Sequence, residues 1–210
     1  GGVIGTSVAW HLARADAGEI VLVERHQLGA GTTWHSAGNI LWNPIDMHDL
    51  PILYMLDEVI PAVTEESGQE TGWLETGRLC LARTRATLDV LAVQAEEGMR
   101  RGFVSRMLEP SDIPAYNPLI DPTPLIGAWL NGKVGRLNPA DLTAAYARAA
   151  RRRGVTTLEE RPATGLAMQG VTVCGVETPQ GTIPADLVVV CGGMWSRRFL
   201  EPLGIALGQW

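Results

Sequence analysis

The chain opens with glycines at positions 1, 2 and 5, followed by a helical pattern, an apolar run and an acidic residue. Residues 3–17 repeat apolar side chains at helical spacing, with Ile4, Val8, Leu12 and Ala15 expected on one face. Residues 20–23 (IVLV) predict a strand buried on both faces of a parallel sheet. Glu24 stands at the end of that strand. This order of elements predicts part of a βαβ unit that binds a dinucleotide.

The two glycines that matter most for this prediction are Gly2 and Gly5, which match the second and third glycines of a dinucleotide fingerprint. Gly2 lets the backbone approach a pyrophosphate, and Gly5 lets the helix pack closely against the sheet. The helix N-terminus offers free N–H groups to phosphates. Glu24 is expected to accept hydrogen bonds from an adenosine ribose, which disfavours NADP. We expect the first glycine and its strand to lie upstream of residue 1, and the chain to be truncated at both ends.

Composition and charge restrict the class of protein. The chain has 210 residues, 46% hydrophobic and 19% charged, as in a soluble globular protein. Its net charge of -6 argues against nucleic acid or an anionic membrane as the main partner. No apolar run approaches the ~20 residues of a membrane-spanning helix, and no signal peptide is visible. The three cysteines match no metal spacing and predict buried thiols in a reducing compartment.

A second motif follows the predicted strand at residues 28–38 (LGAGTTWHSAG). Here the sequence resembles the dimethylglycine and sarcosine dehydrogenase branch of the amine-oxidising FAD enzymes, which share a fold with D-amino-acid oxidase. The resemblance covers nearly the whole chain, including residues 135–139 (GRLNP) and 192–195 (GGMW). Its most specific part is the segment at residues 33–38.

The resemblance implies that His35 is joined covalently to the flavin ring, which makes the flavin a stronger oxidant. Without the resemblance, a histidine beside a tryptophan would be interpreted as structural. The resemblance also implies that residues 191–193 lie against the flavin, where the family often carries alanine in place of Cys191 and Gly192. We expect Cys191 to be a packing residue. The predicted cofactor-binding residues are Gly2, Gly5, Glu24, Arg25, Gly31, Thr32, Thr33, His35, Ala37, Gly38, Gly192 and Gly193.

Further helices and strands are expected along the rest of the chain. The pattern predicts helices at residues 47–66, 85–101 and 139–153, and a short helix within 108–118 capped by Ser111. Asn138 is predicted to cap the helix that follows it. Extended segments are expected at residues 77–83, at 128–137, in short strands after Gly154, and in a buried apolar strand at 187–190.

These patterns predict an α/β fold with discontinuous domains. A partial Rossmann-like FAD-binding domain, with its first strand missing, is expected from residues 1–45 and 140–210. Residues 46–139 are expected to contribute to a mixed-sheet substrate domain. By itself the chain is expected to be inactive and to hold flavin poorly, because a missing inner strand exposes sheet edges.

The function implied by the resemblance is oxidation of a small N-methylated amine such as sarcosine or dimethylglycine, with hydride transfer to FAD. No catalytic residue and no metal ligand is assigned. Folate or an electron-transfer protein is the further partner implied for the full-length protein, located in the bacterial cytoplasm or the mitochondrial matrix. Two alternatives remain open: a non-catalytic regulatory subunit that kept the flavin fold, and an NAD-dependent oxidoreductase. The NAD alternative leaves residues 32–38 unexplained.

Overall fold

The computed structural model describes residues 1–46 and 50–208, which divide into two compact units. The first unit comprises residues 1–37, 62–71 and 138–210, and the second comprises residues 38–61 and 72–137. Both units are therefore built from separate stretches of the chain. The assignment of FAD-binding and substrate-binding roles to domains stays a prediction.

The first unit is built around a parallel strand pair and two helices. Helix α1 spans Val3–Arg14, and strand β1 spans Val21–Val23. β1 pairs in parallel with β7, Thr156–Leu158, and packs against α1. Helix α6, Pro139–Arg152, packs on both α1 and β7. This helix–strand arrangement brings the N-terminus of α1 close to the end of β1.

The later part of the first unit adds a small antiparallel sheet and several short helical turns. The sheet has the order β10-β9-β8, from Gly181–Pro184, Thr172–Thr178 and Gly165–Gln169. A 3-10 turn at Gly193–Trp195 leads into helix α7, Ser196–Leu200, and a second 3-10 turn spans Glu201–Leu203.

The second unit is built around the antiparallel sheet β3-β5-β4, from Arg78–Ala82, Gly127–Asn131 and Ser105–Leu108. Helix α4, Arg85–Arg100, packs on this sheet, and a second pair joins β2, Asn39–Ile40, to β6, Gly135–Arg136. Helix α5 spans Ile113–Tyr116. The core of the unit contains Ala82, Leu91, Ala95, Trp129, Leu108, Ile113, Leu125 and Ala128.

The segment predicted as one helix at residues 47–66 is composite. It contains α2 at Leu50–Tyr54, a π-helical turn at Met55–Val59 and α3 at Ile60–Ser67. Residues 47–49 lie outside the described residues. The division into short pieces accords with two prolines in this stretch, which restrict where helical hydrogen bonds can form.

Two details of the predicted secondary structure are wrong. Residues 187–190 do not form a strand, and Leu187 and Val189 are 76% and 52% exposed. An apolar run becomes a strand only when a neighbour pairs with its backbone, and within the described residues none does so. Ser111 does not cap a helix, because it lies inside a 3-10 turn at Pro110–Asp112 and α5 begins after Asp112.

Candidate functional site

The N-terminus of α1 is closely approached by the loop that carries the second motif. Gly2 is the N-cap of α1 in an extended conformation, and the backbone N–H of Val3 donates to Oγ1 of Thr33 at 3.1 Å. A Cβ atom on Gly2 would lie 2.9 Å from the same hydroxyl oxygen. Gly2 is therefore required by the close approach of the loop to the helix, in addition to its predicted role beside a phosphate.

Gly5 lies where α1 packs against β1 and against the segment that contains Cys191. A Cβ atom on Gly5 would lie 3.4 Å from Cβ of Cys191 and 3.7 Å from Cδ1 of Leu22 in β1. The residue is buried, as expected for a glycine that lets helix and strand pack closely. Burial raises the pKa of the Cys191 thiol, which keeps it protonated and accords with a packing role.

Glu24 lies directly after β1 with its carboxylate beside the start of α1. Oε1 accepts a hydrogen bond from the backbone N–H of His26 at 2.9 Å, and Oε2 lies 2.9 Å from the backbone nitrogen of Gly1. Burial raises the pKa of Glu24, whereas the hydrogen bond from His26 and the positive charge of Arg25 lower it. The net pKa is lowered, so the carboxylate is an acceptor at neutral pH.

The glycine-rich loop after β1 folds back against the beginning of the chain. The N–H of Gly29 donates to the carbonyl oxygen of Gly1 at 2.9 Å, and Gly29 has a φ of 77°, a left-handed conformation that suits glycine. The N–H of Leu28 donates to Oε1 of Glu159 at 2.8 Å, which ties the loop to the chain following β7.

His35 ends a 3-10 turn, Thr33–His35, and its side chain is exposed. Its Nδ1 lies 3.2 Å from the carbonyl oxygen of Gly31. Because a carbonyl oxygen only accepts hydrogen bonds, Nδ1 is the nitrogen that carries the proton, and in the neutral ring Nε2 carries the lone pair. The ring of Trp34 lies 3.9 Å from the imidazole, centroid to centroid, at 38° between the planes.

The segment after residue 191 approaches the same loop from a distant part of the sequence. A Cβ atom on Gly31 would lie 3.3 Å from Cζ3 of Trp195, and one on Gly193 would lie 3.9 Å from Oγ1 of Thr32. Gly193 has a φ of 55° and begins the 3-10 turn. The structure thus brings together three segments that sequence analysis singled out separately, at residues 1–5, 24–35 and 191–195.

Trp195 is the residue of this cluster to which sequence reasoning gave no role. The guanidinium carbon of Arg25 lies 3.9 Å from the centroid of the indole ring. The tryptophan belongs to residues 192–195, which carry part of the family resemblance, so its place two residues after a pair of glycines could have marked it as a site residue. Its contacts with Arg25 and Gly31 depend on tertiary structure.

Two of the predicted cofactor-binding residues lie at the boundary of the units. Ala37 is the last residue of the first stretch of unit one and is exposed. Gly38 belongs to the second unit, where its carbonyl accepts the N–H of Leu137 at 2.9 Å. Gly38 has a φ of 68°, a left-handed backbone conformation that favours glycine at this position.

The groups at the start of α1 suit a dinucleotide. The N-terminus of a helix attracts phosphate oxygens, the hydroxyls of Thr32 and Thr33 can donate to them, and the ionised Glu24 can accept from ribose hydroxyls. The residues present therefore fit FAD. Within residues 1–46 and 50–208, no group of three or more histidine, cysteine or acidic side chains is arranged to hold a metal ion. No helix in the described part of the chain is long and apolar enough to cross a membrane.

Comparisons with known proteins identify relatives across almost the entire chain. Residues 1–208 match the family described as DAO, FAD dependent oxidoreductase. Human mitochondrial sarcosine dehydrogenase is 35% identical over 212 residues, covering 98% of this chain and 23% of that protein. Rat mitochondrial dimethylglycine dehydrogenase is 31% identical over 205 residues, covering 98% of this chain and 24% of that protein.

The chain is also similar to a regulatory subunit and to a dehydrogenase of known structure. The mouse mitochondrial pyruvate dehydrogenase phosphatase regulatory subunit is 30% identical, covering 99% of this chain and 24% of that protein. The crystal structure of L-proline dehydrogenase from P. horikoshii superposes with a TM-score of 0.85 at 25% identity, covering 98% of this chain and 54% of that one. The chain spans about a quarter of the length of these curated relatives. The matches confirm the predicted family resemblance and the α/β class.

Proposed function

The chain belongs to the DAO family of FAD-dependent oxidoreductases, and we propose that its full-length protein oxidises a small N-methylated amine, secondary or tertiary, such as sarcosine or dimethylglycine. The observation that carries the proposal is the cluster at the start of α1, where the loop with His35 meets the nucleotide-binding helix. The names of the sarcosine and dimethylglycine dehydrogenase relatives support the substrate class.

The proposed cofactor site uses the first compact unit. The N–H groups at the start of α1 and the hydroxyls of Thr32 and Thr33 bind the pyrophosphate, and Glu24 binds the adenosine ribose. Gly2 and Gly193 keep side chains away from the hydroxyls of Thr33 and Thr32, and Gly31 leaves room for the indole of Trp195. Arg25, Ala37, Gly38 and Gly192 remain in the proposed binding set by resemblance alone. When bound, FAD accepts a hydride from the carbon next to the substrate nitrogen, and the chemistry belongs to the cofactor.

His35 is proposed as the covalent anchor of the flavin. Its Nδ1–H donates to the Gly31 carbonyl, so Nε2 of this exposed residue is the nitrogen available to form a bond. A bond from Nε2 to a methyl carbon of the flavin ring would replace one C–H bond of that carbon, and the two electrons and two protons lost overall would pass to dioxygen. The tether holds the ring in place and tunes its potential, and His35 is neither acid nor base in the amine oxidation.

The tether is tested in the full-length protein by denaturing gel electrophoresis followed by detection of flavin fluorescence. The wild-type protein is expected to carry fluorescence with its band, and His35→Ala is expected to lose it. His11→Gln is the matched control, since this exposed histidine lies on α1 and bonds to the carbonyl of Ser7. Fluorescence that persists in His35→Ala contradicts the assignment of the anchor.

The reaction is tested separately, by adding sarcosine or dimethylglycine to the flavin-loaded protein under anaerobic conditions. Loss of the visible flavin absorbance is expected, because hydride transfer reduces the ring. Flavin that stays oxidised with every N-methylated amine contradicts the enzymatic proposal. The same result supports the second candidate, a non-catalytic regulatory subunit, which the similarity to the phosphatase regulatory subunit favours.

The remaining proposals concern the full-length protein. The one-carbon product is proposed to leave as formaldehyde or to be transferred to folate, and the electrons to pass to dioxygen or to an electron-transfer protein. The mitochondrial relatives support a mitochondrial matrix location in a eukaryote, and in a bacterium the cytoplasm is proposed. The NAD-dependent alternative is disfavoured by the family assignment.

A further inference from the structure

The indole of Trp195 lies between a charged side chain and the loop that carries His35. Arg25 stacks on the ring at 3.9 Å, and the ring edge faces the backbone of Gly31, where a Cβ atom would be only 3.3 Å from Cζ3. We infer that Trp195 is a positioning residue: packed against Gly31 and held by Arg25, it sets the conformation of residues 31–36 and thereby the orientation of His35. The importance of that orientation rests on the proposed flavin anchor.

The contact reaches the histidine through the backbone. The carbonyl of Gly31 accepts the Nδ1–H of His35 at 3.2 Å, so the residue covered by the indole also orients the imidazole. The N–H of His35 donates to the Thr32 carbonyl at 3.2 Å, and the N–H of Ser36 donates to that of Thr33 at 3.1 Å. A shift of Gly31 would disturb this turn and the direction of Nε2 together.

Trp195 is itself held by a tight turn. Its N–H donates to the carbonyl of Gly192 at 3.1 Å, and Gly193 adopts a left-handed φ of 55° that disfavours a side chain. Ser196, the next residue, is only 6% exposed. A Cβ atom on Gly192 would lie 3.1 Å from the Ser196 hydroxyl, so the glycine also serves the turn that aims the indole.

Arg25 contributes less than the indole in this arrangement. It is exposed, and a cation over an exposed tryptophan contributes a factor of about two to five in an equilibrium. Loss of the whole indole removes both the stack and the packing over Gly31. Trp195→Ala is therefore expected to loosen residues 31–36 strongly, and Arg25→Ala is expected to loosen them less. Trp195→Phe and Arg25→Lys are expected to restore the loop, because they keep an aromatic ring and the cation.

The test is amide hydrogen exchange of the peptide covering residues 31–36, followed by mass spectrometry in the full-length protein with its flavin bound. Trp195→Ala is expected to speed exchange of the His35 and Ser36 amides by about tenfold, because local opening becomes easier. Trp195→Phe is expected to restore protection. Met194→Ala, at the neighbouring residue that is 63% exposed, is the control. Unchanged exchange in Trp195→Ala, or an equal rise in Met194→Ala, overturns the inference.

A second readout separates this inference from the proposed anchor. In proteins loaded with FAD, the share of flavin that stays with the denatured polypeptide is expected to fall in Trp195→Ala and to recover in Trp195→Phe. If the wild-type protein holds no covalent flavin, the anchor proposal fails, and the exchange result still decides whether Trp195 positions the loop. If Trp195→Ala lowers the share of covalently held flavin but leaves the exchange of residues 31–36 unchanged, the proposed effect of Trp195 through this loop is also contradicted.

Discussion

Gly135 shows at the level of one residue why a glycine is required. It begins β6, and a Cβ atom there would overlap the carbonyl oxygen of Leu74. The neighbouring Arg136 exchanges two backbone hydrogen bonds with Leu74, at 2.8 and 3.0 Å. The glycine therefore allows two backbone segments to meet face to face, which explains the glycine at the first position of residues 135–139.

Gly135→Ala is expected to destabilise the protein by about 2–4 kcal/mol, because the added carbon forces two hydrogen-bonded backbones apart. The measurement is the free energy of unfolding in urea. Gly170→Ala is the control, since Gly170 has a φ of 64° but no atom within 4 Å of the added carbon. That variant should lose only about 1 kcal/mol for the left-handed conformation. Equal losses in the two variants would show that the clash is relieved.

At the scale of the element, α6 begins with a cap that was predictable from sequence. Oδ1 of Asn138 accepts the N–H groups of Ala140 and Asp141 at 3.0 and 3.4 Å, and Pro139 occupies the first turn. These contacts satisfy two of the amides left unpaired at a helix start. The helix they begin packs on α1 and β7, so the cap supports the first unit.

Asn138→Ala is expected to cost about 1 kcal/mol of stability, as a lost N-cap does, and Asn138→Asp is expected to cost less because it retains the acceptor. Thermal unfolding measures both. Thr84→Ala serves for comparison, since Thr84 caps α4 in the second unit by accepting the N–H of Thr87 at 3.2 Å. If Asn138→Ala unfolds at the same temperature as the wild-type protein, water replaces the hydrogen bonds of the cap.

The buried face of α1 differs from the face predicted by its larger apolar residues. Sequence periodicity selects Ile4, Val8, Leu12 and Ala15, yet Ile4 is 64% exposed. The buried positions are Gly5, Thr6, Ala9, Trp10 and Ala13. Trp10 on this buried face packs against Tyr146 of α6, with 5.4 Å between the ring centroids, and the packing of α1 on α6 outweighs the hydrophobicity of the other face.

This difference predicts opposite responses on the two faces of α1. Ala9→Leu is expected to destabilise the protein by about 1–3 kcal/mol, because the buried contact has no room for a larger side chain. Ile4→Ala is expected to change stability by less than about 0.5 kcal/mol, as an exposed substitution does. Chemical denaturation of both variants provides the test, and a larger loss in Ile4→Ala would contradict the observed face.

At the scale of the molecule, Glu66 joins parts of the first unit that are distant in sequence. Its carboxylate accepts two hydrogen bonds from Arg153, at 2.8 and 2.9 Å, and one from Nε1 of Trp10 at 2.8 Å. Nε of Arg14 lies 3.8 Å away. Segment 62–71 therefore attaches to α1 and to the end of α6, although second-unit residues flank it in sequence.

The Arg153 hydrogen bonds, then those from Trp10 and the charge of Arg14, lower the pKa of Glu66 below its ordinary value despite an opposing effect of burial. A lowered folded-state pKa means that this stabilisation is complete above the unfolded-state pKa and is lost as pH falls through the folded one. Glu66→Gln is expected to cost about 1 kcal/mol near neutral pH, reduced by solvent screening.

The measurement is the free energy of unfolding of wild type and Glu66→Gln from neutral to acidic pH. The difference between them is expected to shrink below about pH 4.5, where the unfolded carboxyl group begins to be protonated. Glu65→Gln is the neighbouring control. A difference independent of pH would mean that the charge of Glu66 does not contribute.

The local features of this protein could be predicted from its sequence, because they depend on neighbouring residues. Helices α1, α4 and α6 follow from apolar periodicity and from caps such as Asn138. The α/β class and the family follow from the glycines at the start, from Glu24 and from the motif at residues 28–38. These features are encoded within a few residues, so propensity and spacing suffice to recognise them.

Which distant segments meet could not be predicted from the sequence and became known from the folded chain. The buried face of α1 depends on α6, the failure of residues 187–190 to form a strand depends on the absence of pairing among the described residues, and the Arg25–Trp195 stack joins positions far apart in sequence. A strand pairing or a packed contact requires two segments, and a local sequence pattern describes only one of the two. The partner of each segment is therefore known only from the folded chain.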